Sequence, residues 1–74
     1  MVSAHLHRID HSANMARFYA IALQPTLFGE VSVIRTWGRI GTQGQVKLET
    51  FPTVFAAKRQ AGLIEGRKRR RGYV

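Results

Sequence analysis

Arg35, Trp37 and Arg39 stand at every second position along one stretch of the chain, so in an extended strand their side chains would share a face. An indole between two guanidinium groups suits a flat anion. The ring can stack on an unshielded base or sugar while each planar fork holds a neighbouring phosphate through two short hydrogen bonds. Trp37 is the only Trp in 74 residues and is followed by Gly38, Arg39, Ile40, Gly41 and then Gly44-Gln45. The glycines let backbone approach a ligand or turn sharply, and nucleic acid is the first candidate partner. The same alternation puts Val31 and Val33 on that face, so Trp37 could instead extend an apolar core face. Parity leaves both readings open.

The second concentration of chemistry is cationic. Lys58, Arg59 and the run Arg67, Lys68, Arg69, Arg70, Arg71 place seven of the twelve Lys and Arg residues in positions 58–74, opposed there only by Glu65. Such a cluster is expected to contact phosphates without reading bases, with affinity that falls as salt rises. The alternative is a solvated, solubilising end. Arg17 and Lys47 are further candidate phosphate ligands. His5, His7 and His11 with Asp10 invite a metal reading, but a triplet near the N-terminus without cysteine or an evident second shell is read as solvated, and no metal is expected. The four acids are scattered at 10, 30, 49 and 65, there is no thiol, and neither a phosphate-loop nor a dinucleotide fingerprint occurs. No enzyme and no cofactor are expected.

These residues need elements to hold them. Residues 5–10 read as a short edge strand, 11–16 as a loop, and Arg17 to Gln24 as a strand stopped by Pro25. After a turn at 25–29, the segment 30–37 is rich in β-branched residues (Val31, Val33, Ile34, Thr36) and reads as a strand. Gly38, Gly41 and Gly44 suit a loop with positive φ at several points, and 45–51 returns as the other arm of an antiparallel hairpin. From Pro52 the period changes. Val54, Ala57, Ala61 and Ile64 form the apolar stripe of a helix with Thr53 as its cap and Gly66 as its end, leaving 67–74 as a basic segment. Gly62 within it costs about 1 kcal/mol relative to Ala, so this helix must lean on the sheet.

The totals bound the rest. At 74 residues and 45% apolar content the chain is one small domain, 1–74, with a thin core. A net charge of +8 favours polyanions. The lack of cysteine leaves the redox compartment open, and no apolar run reaches the ~20 residues of a membrane span. The expectation is a soluble monomer, cytoplasmic or associated with the nucleoid, with no membrane partner.

Trp37-Gly38-Arg39-Ile40-Gly41 followed by Gly44-Gln45 resembles the WGR domain, named for its tripeptide. Arg17-Phe18-Tyr19 with Ile21 and Leu23 is similar to that family's first main strand, Phe51 and Ala57 to its strand-to-helix passage, and Gly72-Tyr73 to its closing Gly-Tyr, so the likeness spans residues 5–74. It implies an α+β module: an antiparallel sheet of four to five strands with one helix across a face. In poly(ADP-ribose) polymerases this domain helps detect DNA breaks, its Trp packing on a terminal nucleotide near a 5′ end and its Arg lying where DNA and neighbouring domains meet. Trp37 and Arg39 occupy those positions. Nothing in 74 residues can be the polymerase's catalytic domain, and the span looks like that of bacterial stand-alone WGR proteins. The resulting expectation is a binding module for DNA ends or nicks, with Trp37 as platform, Arg35 and Arg39 as forks and Lys68 to Arg71 as clamp. A protein partner docking on the Trp-Gly-Arg surface, or RNA, are the alternatives. Tyr73 is drawn toward the core by family position and toward the ligand by its arginine neighbours.

Overall fold

A computed structural model describes residues 3–74; residues 1 and 2 of the expected domain lie outside the described part. Four strands, β1 (Ser3–Asp10), β2 (Met15–Pro25), β3 (Val31–Arg39) and β4 (Gln45–Phe51), precede one helix, α1 (Val54–Arg70). The strands form an antiparallel sheet in the order β1-β2-β3-β4. The chain is therefore an α+β domain. Among the described residues no helix is long and apolar enough to cross a membrane.

Local chemistry makes each connection. In the β1–β2 turn Asp10 Oδ1 accepts hydrogen bonds from the Ser12 hydroxyl at 2.7 Å and from the Ser12 and Ala13 amides, and Asn14 takes φ 51°. This turn is tighter than the six-residue loop expected, so β2 starts at Met15, where Met15 pairs with Asp10 and Ala16 with Ile9. The Ser12 hydroxyl, then the Ala13 amide, hold the Asp10 carboxyl below its ordinary pKa. Beyond Pro25, Thr26 Oγ1 accepts from the Phe28 and Glu30 amides, each at 3.2 Å, and closes the β2–β3 turn.

The helix covers one face of the sheet. Leu6, Tyr19, Ile21, Leu23, Val31 and Val33 from three strands meet Ala57, Ile64 and Tyr73, and these nine residues form the core. Fully burying each large aliphatic side chain is worth about 1.5–3 kcal/mol, the main force holding helix to sheet. Thr53 caps the start of α1, its Oγ1 accepting from the Ala56 amide at 3.1 Å. Val54 is exposed, so the true buried stripe is Ala57, Ala61 and Ile64, at i, i+4 and i+7.

Gly66 does not end the helix, which runs four residues further to Arg70. The stop lies at Gly72, with φ 98°. The Tyr73 amide donates back to the Lys68 carbonyl at 3.1 Å and the Gly72 amide to the Arg69 carbonyl at 3.1 Å. A left-handed glycine closing a 6→1 and a 5→2 bond is the usual way a helix satisfies its last carbonyls. Tyr73 is thereby turned inward onto Tyr19, and Val74 exchanges two backbone hydrogen bonds of 2.9 Å with His7 on the outer edge of β1. The first half of the basic segment, 67–70, is thus helical.

Candidate nucleic-acid interface

Strand register decides which side chains share the helix-bearing face. In antiparallel pairs, directly opposed residues point the same way. One cross-strand row reads Ala4, Ile21, Arg35, Lys47; the next reads Leu6, Tyr19, Trp37, Gln45; the last reads Arg8, Arg17, Arg39. Arg35, Trp37 and Arg39 thus lie on one face, as alternation predicts, and Val31 and Val33 lie on that face too. The helix covers the valine end and leaves the Trp-Arg end open. Trp37 is half-buried against the core, its ring 5.9 Å from that of Tyr19 and tilted by 21°.

The glycines of the motif make this end possible. An added Cβ on Gly38 would come within 2.8 Å of the Gly44 Cα, and one on Gly44, whose φ is 74°, would run into the Trp37 carbonyl. The β3–β4 loop therefore folds back on the strand itself, aided by Thr42, whose amide and hydroxyl both donate to the Arg39 carbonyl. Gly38 lies in β3 without positive φ and is small because Gly44 crosses over it; Gly41 and Gly44 are the left-handed positions.

Arg17, Tyr19, Trp37, Gly38, Arg39, Lys68 and Tyr73 together line a cleft of about 490 Å³. Lys68 enters it because the buried stripe of α1 continues by i+4 from Ile64. Its Nζ lies 4.6 Å from the centre of the Tyr19 ring and 5.7 Å from that of Tyr73. Burial pushes the Lys68 pKa down from its ordinary value, and Arg71, Arg35, Arg67 and Arg17 push it further. Tyr73 is both things at once, a core residue 8% exposed and a wall of the cleft.

Of the expected site residues, Trp37, Gly38, Arg39, Arg17, Lys68 and Tyr73 are brought together. Arg35 and Arg71 lie in an adjoining cavity shared with Tyr19 and Lys68. Arg69 pairs with Glu65 at 2.9 Å on the exposed side of the helix, and Arg70 extends beside Gly66. Lys47 stands exposed opposite Arg35. Neither Lys47, Arg69 nor Arg70 lines the cleft or the adjoining cavity. Sequence reasoning missed Arg8, which the register places beside Arg17. The signal was its spacing of two from Leu6, legible only once β1 is known to pair along its whole length. Among the described residues no three His, Cys, Asp or Glu side chains converge as metal ligands.

The sequence profile of the WGR domain matches residues 2–74. The chain belongs to the WGR domain family. WGR domains are nucleic-acid-binding modules of poly(ADP-ribose) polymerase-like proteins. It is 44% identical over 69 residues to a protein of Sinorhizobium fredii (strain NBRC 101917 / NGR234) described as the uncharacterized protein y4dW. That alignment covers 93% of this chain and 34% of the relative, so the chain spans about a third of the relative's length. No solved structure matches.

Proposed function

We propose that this WGR domain binds DNA at strand ends or nicks, with Trp37 packed on the exposed terminal nucleotide and Arg17, Arg39 and Arg8 holding the phosphates beside it. The observation that carries the reading is the row Arg8, Arg17, Arg39 in direct register beside the stacked Tyr19–Trp37 pair. Like charges directly opposed across a sheet destabilise it, by on the order of 0.2–1 kcal/mol per pair before solvent screening. Three in a row are tolerable where a polyanion neutralises them. An end or nick supplies what the half-buried indole needs, a base or sugar face not covered by a neighbour.

The test is a titration followed by Trp37 fluorescence, comparing a 5′-phosphorylated blunt duplex with a closed dumbbell of the same sequence at two salt concentrations. Tighter binding and stronger quenching by the open duplex are expected. Equal binding without quenching would leave a basic clamp with no preference for ends. Single-stranded RNA competing as well as blunt DNA at equal salt would move the assignment to RNA, and a nuclease-resistant pull-down without DNA affinity would move it to a protein partner.

A further inference from the structure

Beside the Trp37 cleft, and separated from it by Tyr19 and Lys68, lies a smaller cavity of about 130 Å³ bounded by Tyr19, Arg35, Ile64, Arg67, Lys68 and Arg71. Four of these six residues are cationic. Arg67 in the last turn of α1 and Arg71 at its C-cap both border the cavity, as does Arg35 from β3. No carboxylate answers them among the described residues: Glu65 is engaged by Arg69 on the outer side, and Glu49, diagonal to Arg35 on β4, makes no ion pair with it.

Arg35 gives the second observation. Its Nε is shielded from solvent and has no hydrogen-bond partner among the described residues. A buried donor without an acceptor is rare in folded proteins, because it has given up its hydrogen bond to water and gained none in return. The helix end does not supply the missing negative charge, because the Lys68 and Arg69 carbonyls are already taken by the Arg71, Gly72 and Tyr73 amides.

We propose that this cavity is a second oxyanion site, in which Arg35, Arg67 and Arg71 take a phosphate group beside the Trp37 cleft, with which it shares only the wall made by Tyr19 and Lys68. A cavity of this size exceeds the roughly 30 Å³ share of a water molecule several-fold, so a tetrahedral oxyanion has room. A small turn of Arg35 toward the anion would give its Nε the acceptor it lacks and allow side-on engagement through Nε and one Nη. The group recognised is a phosphate, whether a diester of a bound strand or a free polyphosphate. The proposal goes beyond DNA-end binding and stands without it.

The experiment follows the arginine Nε–Hε signals by NMR while inorganic pyrophosphate is titrated at constant ionic strength. The Arg35 signal is expected to shift saturably while the Trp37 indole signal stays in place. R71Q should weaken this binding about fivefold or more, whereas R59Q, with the same charge loss at an exposed position outside the cavity, should change it less than twofold. R35K keeps the charge and the core stem but lacks Nε, and should weaken binding as R71Q does while retaining the wild-type circular dichroism. A linear drift of Arg35, or equal losses in R71Q and R59Q, would overturn the site in favour of general electrostatics. Duplex DNA that moves the Arg35 signal and competes with pyrophosphate identifies a strand diester as the occupant; duplex that quenches Trp37 yet leaves Arg35 and pyrophosphate affinity unchanged identifies a free polyphosphate. Absence of any duplex binding would end the DNA reading while leaving the pyrophosphate result intact.

Discussion

The two ends of one sheet face follow the same alternation and come out opposite in character. Where Leu23, Val31 and Val33 face Ala57 and Ile64, the surface is apolar, closed and held by burial. Two rows along, the same parity presents Trp37 and then Arg8, Arg17 and Arg39, with no helix over them. Between the ends, Tyr19 carries Trp37 on one side, Tyr73 edge-on at 6.2 Å, and the Lys68 ammonium at 4.6 Å. Alternation thus decides which face a residue takes, while the reach of the helix decides whether that face is core or interface.

The largest effect should come from the closed end. Ile64 is 1% exposed, and Ile64→Ala should cost about 2–5 kcal/mol of stability, measured by urea unfolding. If the comparison holds, the fraction still folded at low temperature should bind duplex DNA with near wild-type affinity. A loss of affinity in fully folded protein would mean that the two ends are not separable.

Trp37→Ala tests the boundary. It should cost about 1–3 kcal/mol of affinity for open DNA ends, with less effect on a closed duplex. Because the ring also packs on Tyr19, some stability will go with it. Unfolding at room temperature would assign Trp37 to the core side and remove its stacking role.

Arg8→Gln, at the open end, should have opposite consequences for binding and folding. The slope of log affinity against log salt should flatten by about one unit if Arg8 meets a phosphate. The free domain should become slightly more stable, by a few tenths of a kcal/mol, as the opposed Arg8–Arg17 repulsion is relieved. An unchanged salt slope would take Arg8 out of the interface.

A similarly small effect on stability is expected at Lys68, where the two ends meet. Its pKa is lowered in the folded chain, first by burial and then by its arginine neighbours, relative to the 10.5 of the free side chain. Folding therefore disfavours its charged form. The unfavourable contribution is present in full below the lowered pKa and disappears as pH rises from there towards 10.5. Lys68→Met should flatten that alkaline dependence and raise stability at neutral pH by under about 1 kcal/mol, since loss of the contact with Tyr19 offsets part of the gain. Thermal melts between pH 7 and pH 10, taken in low salt, are the measurement.

Much of this architecture was legible in the chain. The β-branched run at Val31–Thr36, the cap at Thr53 and the change of period after Pro52 each act through local chemistry, and each sits where sequence places it, while Pro25 is the last residue of β2, paired with Val31, and not the first of the turn. The end of the helix was not legible from Gly62 and Gly66, because a glycine stops a helix only when the following residues can complete the closing bonds. Gly72 does so because Tyr73 has a core to enter. The dual place of Trp37 was out of reach for a related reason: Val31, Val33 and Trp37 are indistinguishable by parity until one knows how far α1 extends across them. Arg8 was hidden because it needs a register, and register is a property of two strands.

The row of Arg8, Arg17 and Arg39, with no counter-charge in register beside it, has a thermodynamic consequence for how this domain responds to its surroundings. Added salt should raise the melting temperature of the free protein, by quieting mutual repulsion, while it weakens the grip on any polyanion. The domain is then least robust alone under the dilute conditions in which it binds best. A ligand that fills the row stabilises the fold in proportion to its own saturation. Affinity and robustness would run on opposite ionic gradients, so in low salt the occupied domain would melt at a higher temperature than the empty one.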